Sequence, residues 1–250
     1  MILQKPDKDI QTFFSQIHSS YLKNQKRDLN QDFAKLLKIS NIKWTANFCQ
    51  RSISEIPTIV AVNHFVRPWL HRKNFFTTFD SMITSAIVTL SYQKISKRKL
   101  TWVTKDNLQE KILFLHIKTR KIQLEAIDCY NFIGISKNYP FARFEKWQQY
   151  FKNGFDIAFY PEGKTSNGLK KVGNRFIKLL KFLKQHKIVF QILPVSIYLK
   201  KSQFLVNFSK ILMPQSDHAQ TIEKTMISIA SNLPMYLQGE YQSQVKKNLS

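Results

Sequence analysis

The residue best able to do chemistry is His64, in the stretch AVNHFVRPWLHRKNFFTTFD from Ala61 to Asp80. An imidazole at the end of an apolar run can take a proton from a hydroxyl near neutral pH, provided a carboxylate fixes its tautomer. Asp80 is the only acid in the stretch, and Asn63 stands beside the histidine as a residue able to hydrogen-bond the turn. A second group lies in FYPEGKTSNG, from Phe159 to Gly168. Pro161 and Gly163 flank Glu162 and force a sharp turn, which presents Glu162, Gly163, Lys164, Thr165 and Ser166 together. Backbone N–H groups in such a turn, with Lys164, suit a phosphate. The third feature is ILPVSIY, from Ile192 to Tyr198. A proline inside an apolar strand removes a ladder donor and marks an edge, a bulge, a strand start or a ligand-facing break. Taken singly, each feature is commonplace: Asn-His pairs cap strands and helices, and Pro-Glu-Gly makes ordinary turns.

The elements around them give the features a setting. Ile10, Phe13, Phe14, Ile17 and Tyr21 follow helical spacing, and Phe33, Leu36 and Leu37 repeat it after a polar break. IKWTANF alternates as a strand does. TIVAVN, after Pro57, is a continuous apolar run of the kind expected in a buried strand. Asp80 reads as the N-cap of a helix over 81–92. LTWVT reads as a strand, 107–118 as a helix, YNFIGIS as a strand, and 144–152 as a helix that Asn153-Gly154 ends. FDIAFY is a strand stopped by Pro161, 175–186 is a helix, IVFQILPVSIYL is a long strand that FLVNFS can pair with, and 221–232 is a closing helix. Strands and helices alternating from residue 57 to about 200 predict an α/β fold: a central, largely parallel or mixed sheet flanked by helices, with an N-terminal helical segment. The division expected is 1–54 for that segment with a leading strand and 55–250 for the α/β unit, compact as a whole. In such sheets ligands bind beyond the C-terminal ends of the strands, and both His64 and Glu162 follow strands there.

Composition restricts the function classes. The chain has 250 residues, 43% of them hydrophobic, and a formal net charge of +23. That length buries a real core, and the excess positive charge calls for an anionic partner: nucleic acid, an acidic membrane surface or a phosphorylated substrate. No helix-turn-helix, zinc spacing or RNA-recognition signature is present, which argues against nucleic acid. From Gly163 to Leu212 there are eleven Lys or Arg and no Asp or Glu. The aromatic and basic mixture in RPWLHRKNFF is the kind found at membrane interfaces, and the loop is expected to touch lipid. Cys49 and Cys129 form no CxxC and no metal-like cluster, so no metal site is expected and a reducing cytoplasm is the default. The opening MILQKPDKDI has no apolar core of a signal peptide, and no apolar run approaches the roughly 18–20 residues that span a bilayer.

In their order and spacing the three features resemble the glycerolipid acyltransferase family, which contains the 1-acylglycerol-3-phosphate acyltransferases. The family's first motif, Asn-His-x4-Asp, is matched by Asn63-His64 and Asp80. Its third, Phe-Pro-Glu-Gly-Thr-Arg-Ser, is matched by Tyr160-Pro161-Glu162-Gly163-Lys164-Thr165-Ser166, and its fourth, around Val-Pro-Val, by Leu193-Pro194-Val195. TWVTKDNL (101–108) resembles the segment after the first motif, FIGISK (132–137) stands where the second motif's Ile-x-Arg belongs, and Gly173 matches a glycine that opens the following helix. Two differences stand out. Fifteen residues separate His64 from Asp80 where the family has four, Lys137 stands for the second motif's arginine, and Lys164-Thr165 stands for the third motif's Thr-Arg. Loop-closure entropy grows slowly with length, so an insertion of this size is cheap if its ends are held together. Lysine grips phosphate as a point charge, without the arginine fork.

The resemblance implies acyl transfer from an acyl thioester, acyl-CoA or acyl carrier protein, to the hydroxyl of a lysophospholipid such as 1-acylglycerol-3-phosphate. It implies His64 as general base, Asp80 orienting it, and Lys137, Glu162, Gly163, Lys164, Thr165 and Ser166 holding the acceptor. No cofactor beyond the donor is implied, and the expected location is peripheral, on the cytoplasmic face of an anionic membrane. The alternatives are a catalytically inactive lipid-binding relative and a basic nucleic-acid-binding protein.

Overall fold

The computed structural model describes residues 8–64, 75–105, 125, 127–135, 144–163 and 168–249. Two helices come first, α1 (Lys8–Leu22) and α2 (Leu29–Ile39). Asp28 opens α2 with its side chain on the Gln31 N–H, which satisfies one of the donors a helix start leaves bare. The strands are β1 (Lys43–Phe48), β2 (Thr58–Val62), β3 (Lys99–Lys105), β4 (Ile133–Ile135), β5 (Phe155–Phe159), β6 (Gln191–Lys200) and β7 (Gln203–Phe208). Between and after them lie α3 (Phe75–Tyr92), α4 (Phe144–Lys152), α5 (Asn174–Gln185), α6 (His218–Ser231) and α7 (Gln242–Leu249).

The seven strands form one sheet in the order β1-β7-β6-β2-β5-β3-β4. Among the described strands only the β6–β7 pair is antiparallel. This is the expected α/β fold, with a mostly parallel sheet between helices. Residue alternation along β2 divides the core in two. Val60 and Val62 pack with Ile83, Ala86 and Ile87 of α3 and with Phe13, Ile17, Phe33, Leu36 and Leu37 of α1 and α2. Ile59 and Ala61 face the other way, toward Trp147 of α4, Phe176, Leu179, Leu180 and Leu183 of α5, and Met226 and Ile229 of α6. A strand buried on both faces must be apolar throughout, which is why TIVAV reads as an unbroken run. The two N-terminal helices therefore dock on the core, and each fully buried side chain there contributes roughly 1.5–3 kcal/mol over exposure.

Three local readings change. Helix α3 starts at Phe75, so Asp80 lies within it rather than capping it; no glycine or proline between Phe75 and Asp80 stops the helix from extending back. The strand expected over 130–136 shrinks to Ile133–Ile135, because 127–130 are helical and Asn131 turns the chain at φ 57°. Pro194 is in an interior strand. Its carbonyl accepts from the Ser209 N–H at 3.0 Å, and the missing reciprocal donor ends the ladder to β7, whose last pair is Val195 with Phe208. The helix expected over 107–118 and the loop of 65–74 lie outside the described residues.

A buried polar knot holds the sheet's opposite, N-terminal edge. Asp156 accepts from the Arg98 Nε at 2.8 Å, the Thr58 N–H at 2.7 Å and the Tyr92 hydroxyl. Arg98 also donates to the carbonyls of Phe151 and Phe155. Burial pushes the Asp156 carboxyl above its usual range, while these donors and the Arg98 charge pull it down. The knot ties the end of α3 to the starts of β2, β3 and β5.

Candidate active site

Adjacent parallel strands β2 and β5 end at the same sheet edge. The chain leaves β2 toward α3 on one face and leaves β5 toward α5 on the other. Connections that part in this way open a crevice beyond the strand ends. His64 follows β2 and Glu162 follows β5, so both sequence candidates arrive at one crevice.

Asn63 sets the exit of β2. Its side-chain Nδ2 donates to the Ile197 carbonyl at 3.0 Å, and its Oδ1 accepts from the Ile197 N–H at 2.7 Å. The buried amide thus acts as an extra ladder residue against β6, where the sequence pointed to a bond within the turn. Strand alternation carries Val60 and Val62 toward α3, and His64 continues that series.

Across from it, Tyr160-Pro161-Glu162-Gly163 closes as a turn, the Gly163 N–H donating to the Tyr160 carbonyl at 3.1 Å. Gly163 has φ +66°, a left-handed conformation that glycine adopts without strain. The turn buries Glu162 to 6% exposure. One carboxylate oxygen accepts the His64 backbone N–H at 2.8 Å and the other accepts the Lys170 N–H at 2.9 Å. Glu162 is therefore a clasp that joins the β2 exit to the β5 exit. Burial pushes its carboxyl up to about 7, against the pull of those two N–H donors and the Lys170 charge. The Pro161 carbonyl accepts from the Gly173 N–H at 2.9 Å, and a Cβ at Gly173 would stand 3.4 Å from the Glu162 carbonyl oxygen. A Cβ at that distance would rest in contact with the turn, which shows how closely α5 starts behind it.

The sequence did not single out Tyr160. Its ring stacks on the His64 ring, with centroids 4.3 Å apart and planes 30° apart, and leans on Trp102 at 5.4 Å. Its hydroxyl meets Ser85 Oγ at 3.2 Å and the Ser81 carbonyl at 3.3 Å. The apolar surroundings push the phenol well above its usual range. Period-2 alternation carried the signal: Ala158 packs on the α3 side, so Tyr160 two residues later does as well. Tyr160 links the His64 ring to the helix that carries Asp80, one residue before Ser81. The Asp80 side chain lies outside what is described, as do Lys137, Lys164, Thr165 and Ser166. Lys137 is two residues beyond the end of β4, a strand whose C-terminus faces the same edge.

Among the described residues, no group of three or more His, Cys, Asp or Glu is placed to hold a metal ion, and no helix is long and apolar enough to cross a membrane. Cys49 is exposed and Cys129 buried, and neither forms a disulfide.

No protein-family model matches the chain. No curated protein matches it in sequence. Among solved structures it is similar to the 1-acyl-sn-glycerophosphate (LPA) acyltransferase PlsC from Thermotoga maritima, at 12% identity and a TM-score of 0.42, over 89% of this chain and 96% of that one.

Proposed function

We propose that the protein is an O-acyltransferase that moves a fatty acyl group from an acyl thioester to the hydroxyl of a lysophospholipid such as 1-acylglycerol-3-phosphate. The observation that carries this reading is the clasp: Glu162 of the Pro-Glu-Gly turn accepts the backbone N–H of His64 at 2.8 Å. Residues 98 positions apart in the chain, each in a motif of the acyltransferase kind, line one crevice.

In the reaction His64 takes the proton of the acceptor hydroxyl as that oxygen attacks the thioester carbonyl. The C–S bond breaks, the proton passes from His64 to the departing thiolate, and no enzyme-bound acyl group forms. Asp80, presented from α3, orients the imidazole and stabilises its charged form. The long spacing suits this role, because α3 begins before Asp80 and leaves only residues 65–74 to bridge from His64. Gly163, Lys164, Thr165, Ser166 and Lys137 surround the phosphate of the acceptor with N–H donors and positive charge. Glu162 fixes the turn from which Gly163, Lys164, Thr165 and Ser166 follow. The substrates are amphiphiles, so the protein works at an anionic membrane surface, to which its net charge draws it.

The test is turnover with acyl-CoA or acyl carrier protein as donor and a series of lysophospholipids as acceptors. Transfer of the acyl group to 1-acylglycerol-3-phosphate is expected. Tight lysolipid binding with no transfer from any donor would identify a binding protein instead. Preference for duplex DNA or RNA over anionic vesicles at matched salt would exclude both.

A further inference from the structure

The segment after α6 forms a strap across the active-site edge. It begins at Asn232, whose carbonyl accepts from Asn207 and Ser196 on β7 and β6. It ends where Tyr241 and Val245 re-enter the core. Midway it locks onto the loop behind Glu162. The Leu169 N–H donates to the Leu237 carbonyl at 2.9 Å, and the Glu240 N–H donates to the Leu169 carbonyl at 3.0 Å. Gly239 has φ +55°, and a Cβ there would lie 2.1 Å from the Leu169 carbonyl oxygen, so only glycine permits this approach. Lys170, the next residue, is the one whose N–H holds Glu162.

A strap pinned at both ends and in the middle nevertheless turns two large side chains outward. Met235 is 61% exposed and Tyr236 69% exposed, between buried Leu233 and buried Tyr241. Lys170 and Lys171, exposed, follow directly on Leu169, which the strap grips, and Glu240, the strap's one acid, is 3.6 Å from the Lys170 amine. At the same sheet edge, β6 ends in exposed Lys200, and exposed Lys201 follows in the turn to β7. A fixed apolar tip with an aromatic of amphipathic character, set among lysines, matches the layering of an anionic phospholipid surface: apolar below, anionic above.

We propose that the Met235–Tyr236 tip inserts into an anionic phospholipid bilayer and fixes the molecule with its His64–Glu162 edge toward the lipid. The choice of lipid over a protein partner rests on the function proposed above. The hydrogen bonds from Leu169 and Lys170 make the tip a rigid extension of the Glu162 loop, so insertion sets the height of the site above the headgroups.

The experiment places an environment-sensitive fluorophore on Met235→Cys in a Cys49→Ser background of the full chain; Cys129 is buried. The control carries the same label on Val189→Cys, which is 67% exposed just ahead of β6, at the opposite sheet edge. With vesicles containing phosphatidylglycerol, the label at 235 is expected to brighten and shift to the blue, and the label at 189 to stay unchanged. Met235→Asp/Tyr236→Asp, with an unchanged circular dichroism spectrum, should weaken vesicle partitioning at least about tenfold, since two side chains that would enter the lipid are replaced by charges the anionic surface repels. The proposal is overturned if 189 responds as strongly as 235, if the double variant binds vesicles like the parent, or if no vesicle binding occurs. A response at 235 that grows with protein concentration in the absence of vesicles would assign the tip to a second copy of the chain and also overturn it. Binding is read without turnover and should survive in His64→Ala. Absence of vesicle docking by the parent protein, with its acyl transfer to a monomeric short-chain acceptor intact, would sink this inference alone. Docking without any acyl transfer would sink only the function.

Discussion

At the scale of single residues, Glu162 carries two burdens: it is buried, and it joins two loops through His64 and Lys170. Its carboxyl is raised to about 7, so between the ordinary glutamate range and that pH the folded chain holds a proton the unfolded chain has released. Its contribution is therefore fully present below the ordinary value and is lost as pH rises through about 7, a loss of about 3 kcal/mol. Urea unfolding of wild type and Glu162→Gln between pH 4 and 8 should show the wild type's advantage shrinking by that amount, whereas a constant difference would contradict the shift. Asn63 makes a second residue-scale prediction. Asn63→Ala leaves the buried Ile197 N–H and carbonyl without their side-chain partner, and roughly 1–3 kcal/mol of stability should disappear in the same assay. Candidates at this scale were legible where chemistry marks them: His64 and Glu162 have reactive side chains and follow apolar runs. Tyr160 was not marked, because its role depends on which face of β5 meets α3, a long-range fact. The bond from Asn63 to β6 was hidden for the same reason, its partners standing 134 positions apart.

At the scale of elements, the sheet holds the site from its far end. The Asp156–Arg98 knot fixes the starts of β2, β3 and β5, and their ends form the crevice. Arg98→Met leaves a buried carboxyl without its charge partner, and a destabilisation of about 3–5 kcal/mol is expected by denaturant titration. The activity per folded molecule should stay close to that of wild type, since the site lies at the other edge. Element types were readable because their periods are strong: α4 and β5 occur where the pattern placed them, and the apolar stripe Phe176, Leu179, Leu180, Leu183 of α5 is buried in the core. Boundaries depended on weaker signals. Nothing in FFTTFD announces where α3 starts, since helix and loop both tolerate those residues, and the preference for Asp at an N-cap pointed six residues too late. Strand order was not readable at all. That β5 lies beside β2 follows from the packing of whole layers, not from any local run.

For the whole molecule, the +23 charge and the lysine-rich region after Gly163 were plain in the sequence; their relation to the site needed the fold. Parallel strands send Lys200, Lys201, Lys170 and Lys171 to the edge that also carries His64 and Glu162. Attraction to anionic vesicles should therefore weaken as salt rises from about 0.1 to 1 M, where the screening length falls from about 10 to 3 Å, and a salt-independent affinity would argue against an electrostatic approach. The central claim is that His64 is the base of an acyl transfer. It is tested most directly by the rate at which wild type and His64→Ala acylate 1-acylglycerol-3-phosphate from acyl-CoA, each checked for folding. The account predicts transfer by wild type and a rate about 10²–10⁴ lower in folded His64→Ala; wild-type rates in the variant, or no transfer by either protein, would contradict it.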